Sequence, residues 1–378
     1  MERFDVAIIG GGIIGGSIAF ELAQRKLRVV LLDSQQPGLE ASWAAAGMLS
    51  PAPDSPDAIP LVPLARASLE LYPEFAAAVE EASGRNVGLR REGSLEVLFA
   101  GDAGRELSTL VAVHHGLGLP TEAIRVEEAR ELEPALSREA RAAAFLPYEA
   151  SVDNRALTEA VLEAAVRSGA TLRAGTRVTE ILREAKRCTG VAAGKERIAA
   201  AQVILAAGCF CGEIEGVAAY APTRPVRGQM VALESTEVRL KHVLRSERGY
   251  IVPRQAGETQ RFITGSTLET AGFDKRLTAA GLEQILHAAV EMVPALADAA
   301  VVETWAGLRP DTPDHLPVLG PTDIDGLLIA TGHYRNGILL APITAKLLCE
   351  QVTEGRMSLS LENFSPLRFL EARRYAAR

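Results

Sequence analysis

Hydrophobic residues fall in two rhythms along this chain. Val6 to Ile9 and Val29 to Leu32 are unbroken runs of β-branched or small apolar residues, as strands buried on both faces require. Residues 5–33, DVAIIGGGIIGGSIAFELAQRKLRVVLLD, therefore read as strand, glycine turn, helix, strand and acidic end. The next stretch, GLEASWAAAGMLSPAPDSPDAIP, is rich in alanine, serine and proline without a helical period, which predicts a binding loop or linker. Residues 61–83 carry apolar positions at three and four spacing and predict a helix, whereas REGSLEVLFA at 91–100 alternates like a strand. The segment 103–145, including VEEARELEPAL, reads mostly as amphipathic helix. Residues 155–184 give a long helix closed by Gly169 and two short strands, and VILAAG at 203–208 is another buried strand. PVRGQMVALES, RGYIVPR and RFITGSTLE then predict an antiparallel sheet, followed by a helix around 278–292. LLIATGHYRNGILLAPITAKLLCEQV returns to strand, glycine turn and helix. The chain thus crosses between two textures repeatedly, with no internal repeat.

The first glycine turn carries specific chemistry. Gly10, Gly12 and Gly15 stand in G-x-G-x-x-G spacing directly after a strand. Gly10 permits the tight turn, Gly12 lets the backbone approach a pyrophosphate, and Gly15 lets the helix pack closely on the strand. N–H groups at the helix start would then face phosphate charge. Asp33 ends the second strand, where a carboxylate can accept hydrogen bonds from a ribose diol and disfavours a 2′-phosphate. An adenine dinucleotide other than NADP is expected, and the fingerprint leaves FAD and NAD both open.

Composition narrows the partners. A 378-residue chain with 48% hydrophobic and 23% charged residues has an ordinary globular composition and room for two domains. A net charge of −8 without a basic run interleaved with aromatics argues against nucleic acid. The apolar stretch from Val6 to Leu22 holds five glycines and Glu21, so the nucleotide-binding pattern explains it better than a membrane span. With only MERFD and a strand before Gly10, no cleavable presequence is expected and the location follows as cytoplasmic. Cys188, Cys209, Cys211 and Cys349 are too few and scattered for a disulfide framework or a metal site and read as reduced structural thiols.

Several separated segments together resemble one family. IIGGGIIGGSIA at 8–19, SWAAAGML at 42–49, VILAAG at 203–208, PVRGQM at 225–230, GYIVPR at 249–254, WAGLRP at 305–310 and GHYRNGILLAP at 332–342 stand in the order found in the FAD-dependent D-amino acid oxidase superfamily. Within it they are most similar to the glycine oxidases of thiamine biosynthesis. The resemblance implies FAD rather than NAD, and a mixed α/β (α+β) fold with a Rossmann-type FAD-binding domain and an interleaved antiparallel-sheet substrate domain. The expected boundaries are 1–83, 146–215 and 300–378 for the first and 84–145 with 216–299 for the second. It implies that Gly10, Gly12, Ile13 and Ile14 hold the pyrophosphate, Asp33 and Ser34 the adenosine, and Ala41 and Ser42 the phosphate side. Ala46, Gly47 and Met48 would line the isoalloxazine, Val178 would touch adenine, and His333, Tyr334, Asn336, Gly337, Ile338 and Leu339 would close over the flavin. A helix beginning near Asn336 aims its positive end forward, which favours negative charge on a reduced flavin. The C-terminal motifs contain no cysteine where sarcosine oxidases of the superfamily attach flavin, so the FAD is expected to be non-covalent.

On the substrate side the resemblance implies that Tyr250, Arg309 and Arg335 bind an α-amino carboxylate. A guanidinium fork matches a carboxylate bidentately, and Arg309 sits among Trp305, Ala306, Gly307, Leu308 and Pro310, an apolar setting that calls for an anion. The implied reaction is oxidative deamination of glycine, sarcosine or a small D-amino acid by hydride transfer to flavin. It yields the α-keto acid, ammonia or an amine and, with dioxygen, hydrogen peroxide. No acid–base side chain is required, and there is no G-x-S-x-G nucleophile and no H-x-x-x-H metal pair. Arg248 and Leu268 depart from the glycine oxidase pattern near the expected pocket; an arginine there either favours acidic substrates or points to solvent. A D-amino acid dehydrogenase with a non-oxygen acceptor is the alternative. A homo-oligomer is the state the resemblance implies.

Overall fold

In the computed structural model, which describes residues 3–53 and 55–370, the strand Arg3–Ile9 lies in the middle of an eight-stranded sheet. It runs parallel to Val29–Leu32 on one side and Glu196–Leu205 on the other. Thr171–Arg173 and Leu327–Thr331 extend the parallel set, and the antiparallel strand Val318–Pro321 closes one edge. The continuous apolar runs are explained by cover on both faces. Val6, Ile8 and Leu31 pack beneath the helices Ile13–Gln24, Val62–Ser83, Asn154–Arg167 and Gly337–Glu354. Ala7, Ile9, Val30 and Leu32 point the other way, onto Ile181 and Val191 of the hairpin Glu180–Glu184 and Arg187–Ala193.

The second sheet also has eight strands, ordered Ala300–Asp311, Arg224–Ser235, Thr259–Gly265, Gly249–Ala256, Val243–Ser246, Ser94–Leu98, Ala142–Leu146 and Glu122–Ile124. Its pairs are antiparallel except for Val243–Ser246 against Ser94–Leu98. Alternation assigns the two faces. Val231 and Leu233 pack towards Ile285 and Met292 of the helix Ala279–Met292, whereas Met230 and Ala232 face Ala44, Ala46 and Trp305. The helix itself is started by Thr278, whose hydroxyl accepts from the Gly281 N–H at 3.1 Å.

Two sequence expectations are corrected. The segment 103–145 contains the helices Ala103–Gly116 and Val126–Leu132, but Glu122–Ile124 and Ala142–Leu146 are strands. A short run such as AAAFL has no period that separates helix from strand, and pairing with Ser94–Leu98 decides it. Residues 300–311, expected with the nucleotide-binding part, instead form an edge strand of the second sheet, pairing with Arg224–Ser235 from Arg224 opposite Asp311 onward. No helix among the described residues is long and apolar enough to cross a membrane.

The parallel strands converge on the glycine turn, and there the packing is tight. A Cβ at Gly15 would strike the carbonyl oxygen of Gly10 and press on Ile8. Gly15→Ala should therefore cost about 1–3 kcal/mol by overpacking, read as a lower denaturant midpoint with an unchanged slope. An unaltered midpoint would show that helix and strand have slack at this point.

Candidate active site

One long cleft runs along the carboxyl ends of the parallel strands, the position where open α/β sheets bind ligands. Ile9, Leu32, Ala206 and Thr331, at or just beyond four strand ends, all border it. Gly10 turns the chain at φ +108°, and a side chain there would strike the Ala206 carbonyl. Gly12 caps the helix Ile13–Gln24 in extended conformation. Two backbone donors of the turn are engaged by side chains: Gly11 N–H donates to Asp33 Oδ2 at 2.8 Å, and Ile13 N–H donates to Ser42 Oγ at 2.9 Å. Asp33 Oδ1 accepts from Gln35 N–H at 2.8 Å, so this carboxylate fixes the turn as well as bordering the cleft. Ser34, Ala41, Ser42 and Val178 line the same end.

The middle of the cleft is walled by residues 41–48, which begin as a short helical turn, Ala41–Ala44, and end in the strand Met48–Leu49. This loop cannot satisfy its own carbonyls, and donors arrive from elsewhere. Asn154 Nδ2 donates to the Ser42 and Trp43 carbonyls at 2.8 and 3.0 Å, and Trp305 Nε1 to the Ala44 carbonyl at 3.0 Å. Arg254 Nη2 donates to the Ala46 carbonyl at 2.6 Å, and Val152 N–H to the Gly47 carbonyl at 2.9 Å. Gly47 has φ +77°, and a Cβ there would strike the Val152 carbonyl. Trp43 meets Trp305 edge to face at 5.8 Å, with the Arg155 guanidinium 3.6 Å from the Trp43 ring centre and paired to both Glu303 oxygens at 3.0 Å.

At the far end Tyr250, Arg309 and Arg335 come together with Met230, Ser266 and Tyr334 around the cleft. Arg309 is half-buried, donating from Nη2 to Ser266 Oγ at 2.7 Å and from Nη1 to the Thr267 carbonyl at 3.2 Å. It has no ion-pair partner among the described residues. Desolvation holds its pKa below the ordinary arginine value, opposed by Tyr250 and assisted by the neighbouring Arg335 charge. The strand opposite makes room for it: a Cβ at Gly228 would strike the guanidinium. Tyr250 donates its hydroxyl to Met230 Sδ at 3.4 Å, and Arg335 is exposed at the mouth.

His333, Tyr334, Gly337 and Ile338 border the cleft beside the start of the helix Gly337–Glu354. Three of the expected cofactor residues do not border it. Gly15 serves helix packing; Asn336 caps the Gly337–Glu354 helix; Leu339 is buried, with its carbonyl accepting from Ser68 Oγ at 2.6 Å. The two departures also lie outside the cleft lining. Arg248 donates to Glu291 at 2.9 Å, and Leu268 is 63% exposed. Gly228, Met230, Trp305 and Arg254 also shape the site, and each stands in one of the segments PVRGQM, WAGLRP and GYIVPR, whose presence was the signal that could have found them. Asn154, Arg155 and Ser266 gave no local signal, because their importance arises only from contacts across the fold.

His333 is buried, with Nε2 at 3.1 Å from Thr344 Oγ1, and burial pulls its pKa down to about 3. It is neutral at ordinary pH. The unfolded chain protonates this histidine near 6.5 and the folded chain near 3, so the stability due to neutral burial is complete above 6.5. It is lost as pH falls through that window. Thermal midpoints measured from pH 7 to 4 should fall more steeply for the parent than for His333→Gln; parallel curves would contradict the assignment.

Comparison with known proteins is consistent with this geometry. The family described as FAD dependent oxidoreductase matches residues 5–351. A glycine oxidase from Geobacillus kaustophilus is 35% identical over 373 residues, covering 98% of each chain. The crystal structure of glycine oxidase from that organism superposes with a TM-score of 0.91 at 34% identity, over 97% of this chain and 99% of the other. A bifunctional protein ThiO/ThiG from Trichormus variabilis is 36% identical over 371 residues, 97% of this chain and 55% of the longer relative. The glycine turn, the acidic strand end and the cleft at the sheet's carboxyl edge thus occur in a chain matched along nearly its whole length, which belongs to the FAD dependent oxidoreductase family.

Proposed function

We propose that this chain is a non-covalent FAD oxidase of glycine, sarcosine or small D-amino acids. The observation that carries the substrate class is Arg309, a half-buried guanidinium at one end of the cleft without an ion pair among the described residues. A desolvated charge of that kind calls for an anion, and an α-amino carboxylate supplies one. The relatives named glycine oxidase support the smallest members of that class, and the ThiO/ThiG relative supports a place in thiamine biosynthesis. The cytoplasmic, homo-oligomeric state expected from the sequence belongs to the same reading.

The residues present suit FAD. In this reading Gly10, Gly12, Ile13 and Ile14 hold the pyrophosphate, Asp33, Ser34 and Val178 the adenosine, and Ala46 to Met48 with His333 to Ile338 the ring system. Residues 1–83, 147–215 and 312–378 then form the FAD-binding part, and 84–146 with 216–311 the substrate part, the division following sheet membership. Bound FAD supplies a two-electron acceptor for the hydride on the substrate Cα. The chain's own task is placement. Arg309 takes the carboxylate, Tyr250 and Met230 bound the space for a side chain, and Arg335 adds positive potential at the mouth. Loss of two electrons and two protons from Cα and nitrogen gives an imino acid, which water hydrolyses to the keto acid and ammonia, while dioxygen becomes hydrogen peroxide. His333, buried and neutral against Thr344, holds structure and transfers no proton in this scheme.

Anaerobic mixing with glycine, sarcosine and D-alanine, followed by oxygen, tests the reading. The flavin should bleach with at least one of them and recover with formation of peroxide. Bleaching without recovery in oxygen would favour a dehydrogenase with another acceptor, and no bleaching with any of the three would overturn the substrate class. Arg309→Leu should weaken substrate binding by about 2–4 kcal/mol, roughly 30- to 1000-fold in apparent affinity. An unchanged half-saturation concentration would remove Arg309 from the carboxylate site.

A further inference from the structure

Arg254 is used by nothing in the scheme above, yet it sits directly behind the cleft wall. It lies on the strand Gly249–Ala256, four residues past Tyr250 and therefore on the same face. The residue is only 8% exposed. Its Nη2 donates to two carbonyls, Ala46 at 2.6 Å and Val152 at 2.5 Å, tying the cleft wall to the chain segment before the helix Asn154–Arg167. Its Nη1 is buried and has no hydrogen-bond partner among the described residues. The Asp153 carboxylate, the acid that most favours its charge, is engaged in capping that helix through Arg155 and Ala156 N–H. Arg90 and Arg155 are like charges nearby.

Such a group is costly to bury, and an apolar residue of similar volume would fill the space without the penalty. Packing alone therefore does not explain a guanidinium here. Its fit to Gly47 is close: that residue has φ +77°, and a Cβ would meet Arg254 Nη2 at 2.6 Å as well as the Val152 carbonyl. Ala46 and Gly47 border the cleft on one side and Arg254 backs them on the other.

We propose that Arg254 is a positioning residue for the flavin: it clamps the Ala46–Gly47 turn that walls the ring and holds a buried positive charge behind it. That charge favours the reduced, more negative form of the cofactor. The inference rests on the placement of Ala46 to Met48 against the flavin ring. Its test requires only bound flavin and so is independent of whether glycine is the substrate.

Arg254→Met keeps the aliphatic stem and removes both donors and charge; Arg254→Lys keeps the charge and loses the planar two-carbonyl clasp. Each holoenzyme would be read by its midpoint potential against reference dyes and by the rate of flavin release, followed by flavin fluorescence alongside protein unfolding by circular dichroism. The methionine variant should show a more negative potential and flavin release about tenfold faster or more while the protein stays folded. The lysine variant should keep the parent's potential and still release flavin faster. The inference is overturned if the methionine variant keeps the parent's potential, or if flavin leaves either variant only as the whole protein unfolds. Should the methionine variant not fold, a lysine variant with the parent's release rate overturns it alone.

Discussion

Five carbonyl groups in one short loop, those of Ser42, Trp43, Ala44, Ala46 and Gly47, accept hydrogen bonds from outside the loop, and the shape of the cleft depends on that. Each such bond contributes only about 1 kcal/mol net, but a buried carbonyl left without a donor costs more than that. The donors come from separate parts of the chain. Asn154 starts a helix over the parallel sheet, Trp305 and Arg254 lie on the antiparallel sheet, and Val152 lies between. The loop therefore holds its shape only when both sheets are in place. Gly307 permits the approach, since a Cβ there would strike Ala44.

From this wall the two ends of the cleft take opposite electrostatic character. At the glycine turn, Asp33 accepts two backbone donors and keeps acceptor capacity at the cleft border. At the other end Arg309 and Arg335 create positive potential, and the Ser266–Thr267 segment fixes Arg309 by two of its five donors. That segment is anchored in turn, with Thr267 Oγ accepting from Gln229 N–H at 2.9 Å and Glu269 paired to Arg227. The cleft thus passes from an acidic strand end to a pair of arginines where the two sheets face each other.

Much of this was legible in the sequence, for physical reasons. The βαβ unit shows itself because buried parallel strands must be continuously apolar and because Gly10 and Gly15 tolerate no side chain. Tyr250, Arg309 and Arg335 were legible through the resemblance and not through spacing, being drawn from two strands and the approach to a helix. What stayed hidden was tertiary. The strand Ala142–Leu146 looked helical because alanines carry no period, and Ala300–Asp311 changed sheets because pairing with Arg224–Ser235 outweighs its place in the chain order. Arg248 is placed beyond local pattern too: only the fold shows that Glu291 draws it away from the cleft.

With five of its carbonyls held from outside, the loop of residues 42–48 keeps its shape without a bound cofactor. Crystal structures of the flavin-free and flavin-loaded protein test it most directly, through the backbone of residues 42–48. The backbone should be the same in both, within about 1 Å, with the bonds from Asn154, Trp305 and Arg254 retained. A loop that is disordered or refolded without flavin, with those donors turned elsewhere, would contradict it.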